Sequence, residues 1–482
     1  MLSRERMAVV EMNALALGIS KKQFVESGGN AVAQDVRDIS DTGSKVTIVA
    51  GRGDNGGPAL VAARFLRTHD VRVLLLGRPE TITTSTTREN WEALSMAEED
   101  IHAVNDSTEL DVDNPDIIVD GIFGIEFTGK PTEPERTAIE KINATAATTI
   151  SVEIPSGMNA NSGEVADTAV SADRTITFHD LKPGLETLSE VTVAEIGIPQ
   201  AAESIVGPGD LTPIRTRLRG NKQEGDSGRV FVIGGGPYTG APALSAQAAL
   251  RAGADLVFVA VPDAIADTIR GYSENLIIQP FSGTKLTLDP VDSLVETATK
   301  YNDIVVVGPG LGEADETQAA VRTFLTKFDG KVVVDADALS IVPDSRTDAS
   351  LILTPNQQEV HELGGPVVRN LRDQVEELEA LAAELDHTLL VKGEETVITD
   401  GDRTQIVREG PPGMTTGGTG DVLSGVVAAF FGVASPFDAA CAAAYVKGAA
   451  GDKLAEQFGR GFTASDLLEA IPSVLFDRSE HE

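Results

Sequence analysis

The chain has 482 residues, 41% of them hydrophobic, and carries a formal net charge of −35. This length predicts two or three domains of ~150 residues each, and the charge disfavours nucleic acid and anionic membranes as partners, since both are negative. The single cysteine, Cys441, excludes an internal disulfide. With no apolar run near the ~18 residues of a membrane span and no apolar signal region at the start, we expect a cytoplasmic protein.

The acid excess is spread along the whole chain. There are 74 Asp and Glu residues against 39 Lys and Arg residues, and no acidic tail. Counter-ions at high concentration screen such repulsion. The composition therefore predicts a halophilic protein, adapted to a salty cytoplasm.

The first half alternates short apolar runs with helical stretches, the pattern of α/β layers around a parallel sheet. A helix is predicted over Ala59–Arg67. The predicted strands are Val46–Ala50, Val71–Leu76, Ile117–Val119, Thr149–Glu153, Arg174–Phe178 and Val191–Glu195.

Polar side chains follow three of these strands. The first strand leads into a glycine-rich loop over residues 51–57, and Asp120 and Ser156 follow two other strands. The loop resembles a dinucleotide fingerprint only in part, because the next strand does not end in the acid that would hold a ribose. Each polar residue alone is explained as a helix cap. Together, at the carboxyl edge of a parallel sheet, Asn55, Asp120, Glu153 and Ser156 indicate a ligand site.

A change of composition marks the domain boundary. The segment Ala201–Gln223 carries two prolines, Pro208 and Pro213, and the arginine cluster Arg215, Arg217 and Arg219. We assign residues 1–205 to a first domain, 206–220 to a linker and 221–482 to a second domain.

The second half is again α/β, with helices expected over Ala243–Arg251 and Leu371–Leu385. Most of its strands end in glycines or polar residues, which favours a large phosphate-bearing ligand. The predicted strands are Arg229–Ile233, Leu256–Val261, Ile304–Val307, Lys331–Asp335, Ser350–Thr354, His387–Lys392 and Thr396–Asp400.

The most informative stretch is Gly417-Gly418-Thr419-Gly420-Asp421, which precedes an apolar run predicted to be a buried helix. Its N–H groups and the helix dipole would converge on an anion. It is not a Walker loop, because no Lys-Ser/Thr follows the glycines. A carboxylate beside a phosphate cradle indicates either chemistry or a metal, while a bare anion loop is the alternative.

The first half resembles the NAD(P)H-hydrate epimerase family over residues 1–200. The resemblance rests on Ala50–Gly57, Asp120–Gly124, Ile154–Gly157 and Lys182–Gly184. It implies a Rossmann-like three-layer sandwich and a K⁺ ion held by Asn55, Asp120 and Ser156. It also implies Glu153 as the acid-base residue, although the family usually has Asp there. The implied substrate-binding residues are Asp54, Asn55, Gly56, Gly57, Pro58, Gly124, Ile125, Glu126, Phe127, Thr128, Gly129, Lys130 and Glu153.

The second half resembles the ribokinase-like superfamily, most closely the ADP/ATP-dependent NAD(P)H-hydrate dehydratases, through Met414–Gly425. This implies a ribokinase-like three-layer sandwich, Mg²⁺, and ADP or ATP as cosubstrate. It implies Asp421 as the catalytic base, with Ala241, Gly312, Asn356 and Asp421 contacting the substrate. The implied nucleotide-binding residues are Lys392, Gly393, Glu394, Glu395, Thr396, Gly418, Thr419 and Gly420.

Three positions depart from the family patterns besides Glu153. Pro58 stands in a loop that usually ends Gly-Gly-Asp-Gly, Asn356 replaces a His, and Asn221-Lys222 stands where His-Lys is usual. Proline lacks an N–H donor, and Asn cannot carry a proton. The departures put the rate and affinity of each half in question more than its fold.

Taken together, the resemblances predict an epimerase that interconverts the R and S hydrates of NADH or NADPH (NADHX and NADPHX). A dehydratase would then convert the S epimer to NAD(P)H in a nucleotide-dependent reaction, with ADP as our first choice. We expect a homo-oligomer. The alternative is a ribokinase-like small-molecule kinase whose first half binds ligand without catalysis.

Overall fold

The computed structural model describes residues 1–220, 228–301, 303–368, 370–411 and 414–476. The chain divides into two compact units, Met1–Ala202 and Glu203–Glu482. None of the helices in the described ranges combines the length and hydropathy needed to cross a membrane.

The first unit is built around a seven-stranded sheet, with neighbours in the order β3-β2-β1-β4-β5-β6-β7. Every strand pair in it is parallel. Strands β1 to β7 are Lys45–Ala50, Asp70–Leu76, Ile101–Val104, Ile117–Gly121, Thr148–Val152, Arg174–Phe178 and Val191–Ala194. Helices α1 to α6 are Arg4–Ala16, Lys21–Ile39, Gly56–Phe65, Ser85–Met96, Glu135–Asn143 and, across the unit boundary, Ala201–Ser204.

Both faces of this sheet are covered. In β1, Val46 and Ile48 pack into one hydrophobic cluster, while Val49 packs into another. Alternate side chains of a strand point to opposite faces, so two clusters mean a helix layer on each side. The expected three-layer sandwich is confirmed.

The second unit contains a nine-stranded sheet in the order β10-β9-β8-β11-β12-β13-β14-β15-β16. Strands β8 to β16 are Arg229–Ile233, Leu256–Pro262, Ile277–Phe281, Ile304–Val307, Lys331–Val334, Ser350–Leu353, Thr388–Val391, Thr396–Thr399 and Thr404–Val407. Helices α7 to α16 are Thr212–Arg219, Gly240–Arg251, Asp263–Arg270, Val291–Tyr301, Asp315–Lys327, Glu359–Glu362, Val375–Leu385, Thr419–Phe431, Pro436–Phe458 and Ala464–Leu475.

This sheet also has two covered faces. Val230 and Val232 of β8 join one cluster, and Phe231 and Ile233 join the other. The α/β class is therefore confirmed for both units. The sheet is parallel except for β14-β15 and β15-β16, which pair antiparallel at one edge.

The segment 206–220, expected to be a linker, is mostly helical and belongs to the second unit. The side chain of Arg215 is buried, and its guanidinium donates to the carbonyls of Val474 and Leu475 at 2.9 Å each. Arg215 is therefore part of the packed second unit and does not belong to an exposed linker. Asn221 and Lys222 lie outside the described residues.

Helix α14, which begins in the Gly417–Asp421 loop, packs very closely against helix α8. A Cβ at Gly425 would lie 2.0 Å from the carbonyl oxygen of Ser245. The two helices are further joined by a 3.1 Å hydrogen bond between the Ser245 and Ser424 hydroxyls. This close packing positions the loop rigidly at the carboxyl edge of the sheet.

Candidate active sites

The first unit contains a cavity of about 610 Å³. Most of the substrate-binding residues implied by the resemblance line it: Asp54, Asn55, Pro58, Gly124, Ile125, Glu126, Phe127 and Glu153. Gly56 and Gly57 lie instead in the first turn of α3, and Thr128 and Gly129 line a neighbouring pocket of about 420 Å³. Lys130 lines neither space.

Asn55, Asp120 and Ser156 are brought together below this cavity, all three buried. The Ser156 hydroxyl donates to Asp120 Oδ1 at 2.5 Å, and the Ser156 N–H donates to Asp120 Oδ2 at 3.0 Å. The Asn55 amide donates to the carbonyls of Phe123 and Val152 at 2.9 and 3.0 Å. The cluster thus joins the ends of three neighbouring strands, as the sequence predicted.

One atom of this cluster has no hydrogen-bond partner among the described residues. Asn55 Oδ1 is buried and accepts no hydrogen bond from any of them. A buried acceptor left unsatisfied is costly, so such an atom in a native fold calls for a ligand. Since amide, carboxylate and hydroxyl oxygens are the donors that hard cations prefer, the residues present fit a cation.

Glu153 follows β5 in a left-handed backbone conformation, with φ of +66°. A non-glycine residue pays a conformational cost there, which is typical of functional sites. Its carboxylate accepts from the Ile125 N–H at 3.3 Å. A Cβ at Gly124 would come within 2.7 Å of the same carboxylate, so the glycine keeps space for it. Burial raises the pKa of Glu153, and the ammonium of Lys182 opposes that rise.

Sequence reasoning missed Glu11 as a member of this site. Glu11 lines the same cavity as Glu153. Burial, reinforced by the charge of Glu153, raises the pKa of Glu11 to about 7. The signal was present in α1, because Glu11 lies on the same helical face as the buried Met7, Val10 and Ala14.

Lys182 supplies the opposing charge beneath the two carboxylates. Its side chain is fully buried, and its ammonium donates to the carbonyls of Phe178 and Asp180 at 2.5 and 2.9 Å. Burial lowers the pKa of Lys182, against the effect of Glu153 and Glu11. The buried Lys182 ammonium thus lies near the carboxylates of Glu11 and Glu153, whose pKa values are both raised. Such a group of side chains can donate and accept protons.

The departure at Pro58 is structurally harmless. Pro58 is the third residue of α3, within the first turn, where backbone N–H groups have no partner inside the helix. The loop N–H groups of Gly56 and Gly57 donate to the carbonyls of Gly53 and Asp54. Pro58 therefore costs the helix no hydrogen bond.

In the second unit, Gly418 caps α14 with a φ of +93°. A side chain there would also clash, because a Cβ would lie 2.7 Å from Leu244. Asp421 stands in the first turn of the helix. Burial, reinforced by the charge of Asp335, raises the pKa of Asp421 to about 7. A carboxyl group with that pKa is suited to accept a proton near neutral pH.

Lys392 is held beside this loop by two carboxylates. Its ammonium lies 2.9 Å from Asp335 Oδ1 and 3.8 Å from Glu359 Oε2. Burial alone would lower the pKa of Lys392, but these two charges raise it instead. The lysine is also near the glycine loop, since a Cβ on Gly420 would lie 3.5 Å from its ammonium.

A cavity of about 920 Å³ lies between this loop and the end of β14. The residues expected at the nucleotide that line it are Lys392, Gly393, Glu394, Thr396, Gly418, Thr419 and Gly420, and Asn356 lines it as well. Glu395 does not. Its carboxylate is paired with the guanidinium of Arg372, with one contact of 2.6 Å.

Ala241, Gly312 and Asp421, expected at the substrate, do not line this cavity. The Gly312 N–H donates to Asp337 Oδ2 at 2.7 Å, and Asp337 in turn raises the pKa of Asp421. Ala241 is close to the same strand end, where a Cβ on Gly310 would lie 3.3 Å from it. Gly312 is thus linked to Asp421 through Asp337.

Asn356 acts as a cap. Its Oδ1 accepts from the N–H groups of Gln358 and Glu359 at 2.8 and 3.0 Å, at the start of the short helix α12. Asn356 Oδ1 thus satisfies two backbone N–H groups at the start of this helix, and the residue also lines the 920 Å³ cavity.

Lys447 was also missed. It lies in the alanine-rich helix α15 and lines the 920 Å³ cavity with Gly417–Gly420. Burial, followed by the charge of Lys392, lowers the pKa of Lys447 to about 8. In the sequence, one lysine within a run of small residues gave no sign of a site.

Comparisons with known proteins cover both halves. Residues 230–473 match the family described as NAD(P)H-hydrate dehydratase, and residues 21–184 match the family described as YjeF-related protein N-terminus. The chain is similar to the bifunctional NAD(P)H-hydrate repair enzyme Nnr of Methanothermobacter thermautotrophicus, with 40% identity over 97% of this chain and 94% of the relative. The enzyme of the same name from Pyrobaculum aerophilum is 39% identical over 97% of each chain.

Among solved structures, the hypothetical protein SMU.573 of Streptococcus mutans matches with a TM-score of 0.50 and 23% identity. The match covers 58% of this chain and 100% of that protein. At this identity the likeness concerns the fold alone.

Proposed function

The chain belongs to the bifunctional NAD(P)H-hydrate repair enzyme family, and from that membership we propose which residues carry its two reactions. The first unit epimerises NAD(P)HX at the Glu153 site. The second dehydrates S-NAD(P)HX at the Asp421 site, using ADP or ATP. The observation that carries the second assignment is a proton-accepting carboxylate in the first turn behind a glycine phosphate loop.

In the second unit, Asp421 accepts the proton of the substrate's C6 hydroxyl as that oxygen attacks the terminal phosphorus of the nucleotide. The bond from that phosphorus to the bridging oxygen breaks, and AMP leaves from ADP, or ADP from ATP. The N–H groups of Gly418, Thr419 and Gly420 stabilise charge on the transferring group. The C6–O bond then breaks, phosphate leaves with the bonding pair, and loss of a C5 proton restores the ring double bond. Ala241, Gly312 and Asn356 contact the substrate, and Lys392, Gly393, Glu394 and Thr396 contact the nucleotide.

Mg²⁺ would accompany the nucleotide and neutralise charge on its phosphates. No three His, Cys, Asp or Glu side chains group into a metal site within the described ranges. This fits a metal that arrives bound to phosphate and retains waters, as Mg²⁺ commonly does, instead of sitting in a cage of protein ligands.

In the first unit, Glu153 is the proton-transfer group. It protonates the C6 hydroxyl, water leaves to give a ring iminium, and water adds to the opposite face while returning a proton to the carboxylate. Asn55, Asp120 and Ser156 would hold K⁺, supported by the unpartnered Asn55 Oδ1. A bound ion would supply positive charge to this cluster.

The reaction products test the function. Incubating NADHX or NADPHX with ADP or ATP, Mg²⁺ and KCl should regenerate the absorbance of the reduced nicotinamide ring and release one orthophosphate per NAD(P)H. A stable phosphorylated product without NAD(P)H would instead establish a small-molecule kinase. Comparing the rates with ADP and with ATP tests the expectation that the enzyme uses ADP.

We also propose that the protein is halophilic, supported by the net charge of −35, and that it is a cytoplasmic homo-oligomer. Because salt screens repulsion between surface carboxylates, the melting temperature should rise by roughly 5–10 °C between dilute buffer and molar KCl. NaCl serves as the control, since both salts screen alike and only a specific K⁺ site favours KCl. An unchanged melting temperature would overturn the proposed adaptation. Light scattering measures the oligomer.

A further inference from the structure

The nucleotide cavity of the second unit is poor in available positive charge. A nucleoside di- or triphosphate brings several negative charges, yet Glu394 and Glu409 are among the residues that line the cavity. Burial already raises the pKa of Glu409. The loop N–H groups and the dipole of α14 supply only partial charges, equivalent to about half an elementary charge for a whole helix.

Two lysines are found among the described residues that line this cavity, Lys392 and Lys447. The charge of Lys392 is already balanced by Asp335 and Glu359, at 2.9 and 3.8 Å. It therefore offers the nucleotide little net attraction.

Lys447 differs, because it makes no hydrogen bond or ion pair with the residues that the structure describes. Its neighbours Ala444 and Gly448 on α15 also line the cavity, so this face of the helix is turned towards the Gly417–Gly420 loop. Lys447 is partly buried. A partly buried ammonium without a partner is unfavourable, and the anion that this loop is built to bind would satisfy it.

We propose that Lys447 binds the phosphate groups of the nucleotide, opposite the Gly417–Gly420 loop. The inference rests on the proposed dehydratase function and deepens it, since it assigns the phosphates a charged ligand outside the glycine loop and the Lys392–Thr396 segment. Lys392 then serves mainly to hold the strand end and its acids in place.

The first test measures nucleotide binding without turnover, by titration calorimetry with ADP, ATP and adenosine. Lys447→Ala should weaken ADP and ATP about tenfold to a hundredfold, the range for hydrogen bonds to charged groups, and leave adenosine binding unchanged. Lys447→Arg should retain most of the affinity. Lys453→Ala on the same helix is the matched control, because the Lys453 ammonium donates to the Ser473 carbonyl and does not line the cavity.

A second readout follows from protonation. The groups facing Lys447 are Lys392 and Asp335, and burial with the Lys392 charge holds the pKa of Lys447 at about 8. A bound phosphate raises the pKa of Lys447. At about pH 8, close to the pKa of Lys447 without ligand, the wild-type protein should therefore take up protons when it binds ADP. Titrations in buffers of different ionisation enthalpy detect this uptake, which Lys447→Met should lose.

Two results would overturn the inference: unchanged ADP and ATP affinity in Lys447→Ala, or an equal loss for adenosine, which would indicate a structural role. Failure of the wild-type protein to bind ADP or ATP at all would instead remove the proposed dehydratase function. The two failures are therefore distinguishable.

Discussion

Asp421→Asn should abolish nucleotide-dependent recovery of NADH, with turnover lowered by about 10²–10⁴-fold, the range for loss of general base catalysis. The substitution keeps the size of a partly buried side chain, but an amide cannot accept the hydroxyl proton. Orthophosphate release should fall in parallel. Epimerisation by the first unit should be unaffected, because its site uses none of these residues.

The pH profile supplies an independent check on Asp421. Because its pKa is raised to about 7 by burial and by Asp335, the carboxyl group is protonated below that pH and cannot act as a base. Dehydratase activity of the wild-type enzyme should therefore increase as pH rises through about 7. If Asp421→Asn kept substantial NADH recovery, and its activity rose with pH as it does in the wild-type enzyme, another group would be the base.

Glu153→Gln should lower the rate of epimerisation by about 10²–10⁴-fold without affecting dehydration of S-NADHX. The amide retains the shape of a side chain that accepts from the Ile125 N–H, yet it cannot transfer a proton. Epimer-resolved chromatography of NADHX, corrected for the spontaneous reaction, measures the effect.

Two variants sharpen the assignment. Glu153→Asp should retain much of the activity, since it restores the family's usual carboxylate about one methylene shorter. Gly124→Ala does not alter residue 153 itself but puts a methyl group 2.7 Å from the Glu153 carboxylate. It should therefore slow epimerisation, because the carboxylate is pushed out of position. Unchanged epimerisation in Glu153→Gln would refute the role of Glu153 whatever the other variants do.

The central strands could be predicted from the sequence because both of their faces are buried. Three sequence-predicted strands, Arg174–Phe178, Arg229–Ile233 and Ile304–Val307, agree with the structure at both ends. The strands Ile101–Val104, Ile277–Phe281 and Thr404–Val407 were missed. All three mix polar or partly exposed positions with apolar ones, and each lies at or next to a sheet edge, so the apolar run is interrupted.

Part of each site could be predicted for a similar reason. Asn55 and Ser156 follow strands and Asp120 lies near the end of one, and a parallel sheet brings such ends together. Glu11 and Lys447 lie within helices, where their roles depend on which helix face meets a cavity. Helical periodicity puts Glu11 on the buried face of α1, but which cavity that face meets depends on tertiary packing, which the local sequence does not specify.

The most direct test of the whole account is the extent of NADH recovery from an equal mixture of R- and S-NADHX, with nucleotide, Mg²⁺ and KCl. The wild-type enzyme should convert the entire mixture, because the first unit supplies the epimer that the second consumes. Glu153→Gln should convert the S fraction and then slow to the spontaneous epimerisation rate. A wild-type reaction that also stopped at the S fraction would contradict the coupling of the two sites.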